Sequence, residues 1–380
     1  MNRYCTPFIK QDLAQKMVFL GGPRQVGKTT LAKGLLKDNW AQGQYFNWDV
    51  DEDRKAILKK EWKSNAPLVI FDELHKYTRW KQWIKGVYDA RPEEQEYLVT
   101  GSARLDVYKR GGDSLVGRYH YWRLHPFTLD EFPNDISAQE AYQRLLTVGG
   151  FPEPFIVNDE REARRWRRER FDRILREDVR DLESIRHISL LSIMADSLKE
   201  RVGSNITLSN IARDLEIAPN TAKHWLQLLE RMYLVFAIYP YTTKIARSLI
   251  KPPKVYFYDN ADVADDEGAR LENLIATTLL KRIHFTEDYH GFKSQLHYIR
   301  DKEGREVDFV VTKNNVVELL IEVKLSDTTL SRSLQYYADL LQPKEVVQIV
   351  GNLKKPFTKN NILVTNPIDY FTQDGFVFGE

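Results

Sequence analysis

Two hydrophobic periods alternate along the first third of the chain. Met17-Val18-Phe19-Leu20 and Leu68-Val69-Ile70-Phe71 are unbroken apolar runs, and residues 44–48 and 97–100 also read as strands. Helical spacing fills the gaps at residues 30–36 and 51–62. Four apolar residues in succession suit a strand covered on both faces, so the pattern predicts a parallel sheet in residues 1–135. In residues 136–250 the pattern turns helical. A short helix over 208–215, a turn at Glu216-Ile217-Ala218 and a longer helix from Pro219 through Arg231 precede an apolar, strand-like stretch at 233–241. Trp225, Leu228 and Leu229 form the longer helix's apolar face. Helix, turn, helix and strand is the order of a winged helix-turn-helix. Lys251-Pro252-Pro253-Lys254 marks a joint, beyond which residues 251–380 carry a helical run at 271–280 and strands at 295–299, 307–311 and 316–324. Gly149-Gly150-Phe151-Pro152-Glu153-Pro154 is an earlier turn-rich break.

One motif stands out against this background. Gly22-Pro23-Arg24-Gln25-Val26-Gly27-Lys28-Thr29 satisfies every fixed position of the phosphate-binding loop G-x-x-x-x-G-K-[ST], between a strand and a helix as that loop requires. Its glycines let backbone N–H groups turn toward phosphate oxygens. Lys28 supplies charge for the β- and γ-phosphates, and Thr29 offers a hydroxyl to Mg²⁺. Thr30, opening the helix, completes the candidate ATP site. The acidic strand 68–73 ends in Asp72-Glu73, where ligands bind in open α/β sheets. Asp72 is placed to hold Mg²⁺, and Glu73 to polarise the attacking water. The strand ending at Thr100 falls between the loop strand and the acidic strand, which makes Thr100 and Ser102 candidate γ-phosphate sensors. Arg118 reads equally as an arginine finger in a homo-oligomer or as an ordinary surface arginine.

Composition narrows the class. With 42% hydrophobic and 29% charged residues the chain has the balance of a globular protein, and its net charge of +2 demands no polyanionic partner. Charge is nonetheless uneven: arginines crowd residues 161–180, interleaved with acids. A solvated helix with i,i+4 pairs explains much of that run, and an electrostatic footprint for DNA or RNA explains the excess. In a DNA-reading helix-turn-helix, Asn220, Thr221, Lys223 and His224 would face the groove, whereas such modules also join proteins. Cys5 is the single cysteine, which fits a reducing cytoplasm. No apolar run approaches the length that crosses a bilayer, and the N-terminus lacks a signal-peptide pattern. A cytoplasmic protein without membrane contact is expected.

Asp308, followed by Glu322-x-Lys324, lies on two successive strands, and alternation puts Glu322 and Lys324 on one face. A hairpin through Lys313-Asn314-Asn315 brings Asp308 beside them, with Glu272 on the preceding helix as a third carboxylate. Carboxylates so grouped bind a second Mg²⁺ or Mn²⁺, and a lysine beside them steadies the attacking hydroxide. This set resembles the core of PD-(D/E)xK nucleases, a restriction-endonuclease-like α/β fold, and the resemblance places Gln335 and Tyr336 in the helix after it. The phosphate loop, Val69-Ile70-Phe71-Asp72-Glu73, Val99-Thr100-Gly101-Ser102-Ala103, Ser114-Leu115-Val116-Gly117-Arg118, Leu124-His125-Pro126-Phe127 and residues 149–154 together resemble the AAA-type ATP-binding family with a C-terminal DUF4143 region. The chain departs from that family at His75, where relatives are expected to carry a polar amide. The resemblance implies an ATPase of α/β class in three parts: a P-loop NTPase sheet (1–135), a winged-helix region (136–250) and a nuclease-like domain (251–380) that cuts nucleic acid or only binds it.

Overall fold

The computed structural model describes residues 3–101, 115–179, 188–242 and 251–372, with the side chains of 177–179 left aside. It falls into two compact units, Met1–His125 and Pro126–Glu380. The first is built on an all-parallel sheet of β1 (Met17–Gly21), β2 (Gln44–Asn47), β3 (Leu68–Asp72), β4 (Glu96–Thr100) and β5 (Tyr119–Arg123). Its order is β2-β3-β4-β1-β5. The unbroken apolar runs of β1 and β3 are buried at every position, as a sheet covered on both faces requires. The core on one face is largely aromatic, with Phe19, Phe46, Phe71, Trp80 and Tyr97 in one cluster. Helix Trp80–Asp89 contributes Trp80, Ile84, Val87 and Tyr88, an i, i+4, i+7, i+8 stripe. Because β4 lies between β1 and β3, the phosphate loop and the acidic strand flank the end of β4.

The second unit begins with helices. Gly149 and Gly150 lie inside it rather than at its edge: a Cβ on Gly149 would meet Asp259 Oδ1 at 1.9 Å, and one on Gly150 would meet the Phe127 carbonyl at 2.3 Å. Helices Leu208–Asp214 and Pro219–Arg231 pack through Ile211, Ala212, Ala222, Trp225, Leu228 and Leu229. They lead directly into β6 (Val235–Pro240), which pairs antiparallel with β7 (Lys254–Phe257). These two strands continue a mixed sheet formed with β8 (Ser294–Arg300), β9 (Glu306–Lys313), β10 (Val316–Lys324), β11 (Glu345–Val350), β12 (Phe357–Lys359) and β13 (Ile362–Thr365). The order is β12-β13-β11-β10-β9-β8-β6-β7. Asn314 and Asn315 both take left-handed φ values, 51° and 66°, which close the β9–β10 hairpin in two residues. Helix Glu267–Asp288 packs on this sheet, touching β7 and β8.

Candidate functional site

Three φ values above zero bend the loop between β1 and helix Lys28–Asn39: Gly22 at 136°, Gln25 at 65° and Gly27 at 99°. At Gly22 a Cβ would strike the Leu124 carbonyl at 2.3 Å, so glycine is needed there for space as well as for φ. Gly27 brings no capping side chain to the helix, so the N–H groups of its first turn are available to phosphate oxygens. Lys28 is buried, its Nζ donating to the carbonyls of Gly22 at 3.0 Å and Pro23 at 2.6 Å. Pro23 and Val26 are buried, Arg24 and Gln25 half-buried, and Thr30 exposed. Arg3 Nη1 braces the loop through the Val26 carbonyl at 3.1 Å.

The strand ends join this loop through one carboxylate. Thr29 Oγ1 donates to Asp72 Oδ2 at 2.7 Å, Tyr45 Oη donates to the same oxygen at 2.6 Å, and Thr100 Oγ1 donates to Asp72 Oδ1. Register makes this possible, since Asp72 pairs with Thr100 on one side and Asn47 on the other. Burial and the adjacent Asp72 push the Tyr45 phenol well up, so it remains a donor. Glu73, next along, has a left-handed backbone (φ 57°) fixed by its N–H on the Thr100 carbonyl at 3.1 Å. Burial raises its carboxyl above the ordinary value, while Lys28 and Lys76 pull against it. Lys76 Nζ lies 3.4 Å away, and His75, buried beneath, presents Nε2 at 3.7 Å. Ser102 lies outside the described residues. Arg118, just before β5, makes a two-point contact with Asp89, Nε to Oδ1 at 2.7 Å and Nη2 to Oδ2 at 3.2 Å.

The hydroxyl of Thr29 and the carboxylate of Asp72 are hard oxygen donors already in contact, and so fit a Mg²⁺ completed by waters and phosphate. Tyr45 on Asp72 had no signal in the sequence beyond its place in β2.

The second candidate set is arranged differently. Glu306 and Asp308 share a face of β9, and Lys254 and Tyr256 share one of β7. Lys254 Nζ lies 2.7 Å from Glu306 Oε1 and 3.4 Å from both Glu272 Oε1 and Asp308 Oδ1, with 2% of its side chain exposed. Tyr256 Oη donates to Glu272 Oε1 at 2.7 Å, and Asp308 Oδ2 accepts the Val323 N–H at 2.9 Å. Burial alone would pull the Lys254 ammonium down, but Glu272, Asp308 and Glu306 outweigh it and hold it above the usual lysine value. Glu322 pairs instead with Lys324, Oε1 to Nζ at 2.8 Å, and burial with nearby Asp308 pushes its carboxyl up to about 7. Gln335 hydrogen-bonds the Ser331 carbonyl and Asn360, and Tyr336 stacks under Arg305 at 4.0 Å.

A divalent ion among Glu272, Asp308 and Glu306 would therefore share their oxygens with an ammonium. Two unit positive charges 4 Å apart repel by about 4 kcal/mol at an intermediate effective dielectric, and a doubly charged ion by more. The cluster as built does not fit a second Mg²⁺ or Mn²⁺. Among the described residues no three His, Cys, Asp or Glu side chains are arranged to hold a metal ion. Lys254 escaped the sequence reading because Pro252-Pro253 marked its segment as a joint, although the spacing Lys254-x-Tyr256 is that of one strand face.

The arginine-rich stretch resolves into two kinds of residue. Arg170 is buried in helix Glu160–Arg173, its guanidinium 3.9 Å over the Phe151 ring and 3.7 Å from Asp262. Arg164 and Arg165 are exposed and pair along the helix with Glu160 at 3.3 Å and Glu162 at 3.2 Å. On helix Pro219–Arg231, Asn220, Lys223 and His224 are exposed and Thr221 half-buried. No described helix is long and apolar enough to cross a membrane.

Comparison with known proteins matches three successive stretches of the chain. Residues 14–133 match an AAA domain, 139–263 a domain of unknown function (DUF8612), and 267–370 a domain of unknown function (DUF4143). Uncharacterized protein MJ1544 of Methanocaldococcus jannaschii is 23% identical over 90% of this chain and 82% of its own length. Uncharacterized protein Rv2008c of Mycobacterium tuberculosis is 26% identical over 64% of this chain, which spans about half (54%) of that relative. Two RuvB variants of Thermotoga maritima align at 16% identity with low TM-scores, 0.29 over 62% of this chain and 87% of theirs, and 0.30 over 64% and 94%. The likeness read from the motifs is borne out at both ends: the chain joins an AAA-type domain to a C-terminal DUF4143 domain.

Proposed function

We propose that the first unit is a Mg²⁺-dependent ATPase and that its nucleotide state governs a second unit that binds nucleic acid. The hydrogen-bond chain Thr29–Asp72–Thr100 carries this reading, because it ties the phosphate loop, the acidic strand and the candidate sensor into one site. Lys28 and the first-turn N–H groups hold the β- and γ-phosphates; Thr29 and Asp72 hold Mg²⁺, which supplies charge neutralisation when bound. Glu73 accepts the proton of the attacking water, a task its raised pKa suits. Thr100 links any shift of Asp72 to β4.

Phosphate release from ATP tests this directly. Lys28→Ala is expected to abolish it, and Glu73→Gln to slow it by about 10²–10⁴-fold while ATP binding persists. Hydrolysis that survives Lys28→Ala at the wild-type rate would overturn the reading.

The helices before β6, with the β6–β7 hairpin after them, support a winged helix-turn-helix whose exposed Asn220, Lys223 and His224 meet a phosphate backbone. DNA or RNA binding that weakens steeply with salt is expected, and a salt-insensitive or absent interaction would favour a protein partner instead. The alternative of an ATP-switched endonuclease requires a metal beside Asp308, where the donor set does not fit one.

A further inference from the structure

Each carboxylate around Lys254 is held by at least two donors. Glu272 Oε1 accepts from Lys254 and Tyr256; Asp308 accepts from Lys254 through Oδ1 and from the Val323 N–H through Oδ2. Glu306 spans Lys254 through Oε1 at 2.7 Å and Arg300 through Oε2 at 3.2 Å. The turn before helix Leu208–Asp214 closes over them: Gly203, at φ 71°, passes so near Glu272 that a Cβ there would sit 2.7 Å from Oε2. Ile206 then anchors to the Pro253 carbonyl at 2.8 Å. Hydrogen bonds to charged groups are the strong ones, and buried charges persist only when so paired. An ion arriving here would have to expel a buried ammonium and break several of these bonds together.

We propose that Lys254 is the built-in cation of this cluster: its ammonium stands where a divalent ion would bind, so Glu272, Glu306 and Asp308 are balanced without metal. The second unit then recognises its partner without cutting phosphodiesters by metal-activated water. The inference rests on the second unit alone, so it stands or falls separately from the ATPase reading.

Mn²⁺ uptake by the full chain decides it. The Lys28→Ala protein, without nucleotide, removes the phosphate-loop site from the measurement, and free Mn²⁺ is followed by its electron spin resonance signal. No uptake sensitive to Asp308→Asn is expected while Lys254 is present. Lys254→Met in the same background is expected to tighten Mn²⁺ binding by about tenfold or more, an effect reversed by Asp308→Asn. Because Lys254→Met leaves buried carboxylates uncompensated, Lys254→Met with Glu306→Gln serves where the single variant does not fold. Uptake by the Lys254-containing protein that Asp308→Asn removes overturns the proposal, and so does a folded Lys254→Met protein that gains none.

Discussion

Glu322 is a residue whose environment contradicts its charge. Burial, then Asp308, push its carboxyl up to about 7 from an ordinary 4.5, against the pull of Lys324 and Lys254, and among the described residues Oε2 has no hydrogen-bond partner. A carboxyl raised in the folded state stabilises the fold fully below its unfolded pKa and loses that contribution as pH rises through its folded value. Wild type is therefore expected to lose stability between pH 4.5 and about 7. Glu322→Gln, a neutral isostere, should match wild type at the acid end and exceed it above neutrality by on the order of 2 kcal/mol. Urea midpoints at pH 4.5, 6 and 8 measure this; a gain that is flat across pH would assign the effect to packing rather than ionisation. The placement of Asp72 beside the phosphate loop was legible because an apolar strand ending in carboxylates after such a loop belongs next to it in an open α/β sheet. The placement of Lys254 was not, since its partners come from β9 and a helix distant in sequence.

Among the elements, legibility follows burial. Strands β1, β3 and β4 show their double-sided burial as apolar runs, β8 and β9 alternate along much of their length, and β10 buries Leu319 to Glu322 in succession; all six are found where the sequence puts them. Strand β5 reads Tyr-His-Tyr-Trp-Arg and among the described residues pairs only with β1, so an edge position leaves it with no continuous aliphatic run. Strand β7 is hidden behind two prolines. Helix Pro219–Arg231 separates packing from contact with a partner, which makes it the place to test the nucleic-acid reading. Trp225, 5% exposed, anchors its inner face, and Trp225→Ala should cost about 3–5 kcal/mol in unfolding free energy. Exposed Lys223 should behave oppositely. Lys223→Ala is expected to leave stability within about 0.5 kcal/mol and to reduce the salt slope of DNA binding by about one phosphate contact. Fluorescence anisotropy over a salt series reads that slope, and an unchanged slope removes Lys223 from the interface.

At the scale of the whole molecule, the step at Pro252-Pro253 that reads as a joint runs between two paired strands, because β6 before it and β7 after it belong to one sheet. Sequence patterns register local breaks, whereas sheet membership depends on which strands meet after folding. Each unit has its own hydrophobic cluster, centred on Phe19, Phe71 and Tyr97 in the first and on Val307, Leu320 and Leu334 in the second. Calorimetry is therefore expected to resolve two transitions. ATP with Mg²⁺ at about 100 times its Kd should stabilise the first unit by about 2.7 kcal/mol, a rise in Tm of roughly 10 °C. The second transition carries the information about coupling. A ligand shifts a distant equilibrium only through differential affinity, and that coupling is reciprocal. If nucleotide state governs the second unit, its transition must move when MgATP binds, and DNA must alter the Kd for ATP by the same factor by which ATP alters that for DNA. A second transition that stays fixed, together with an ATP affinity indifferent to DNA, would leave two independent modules on one chain.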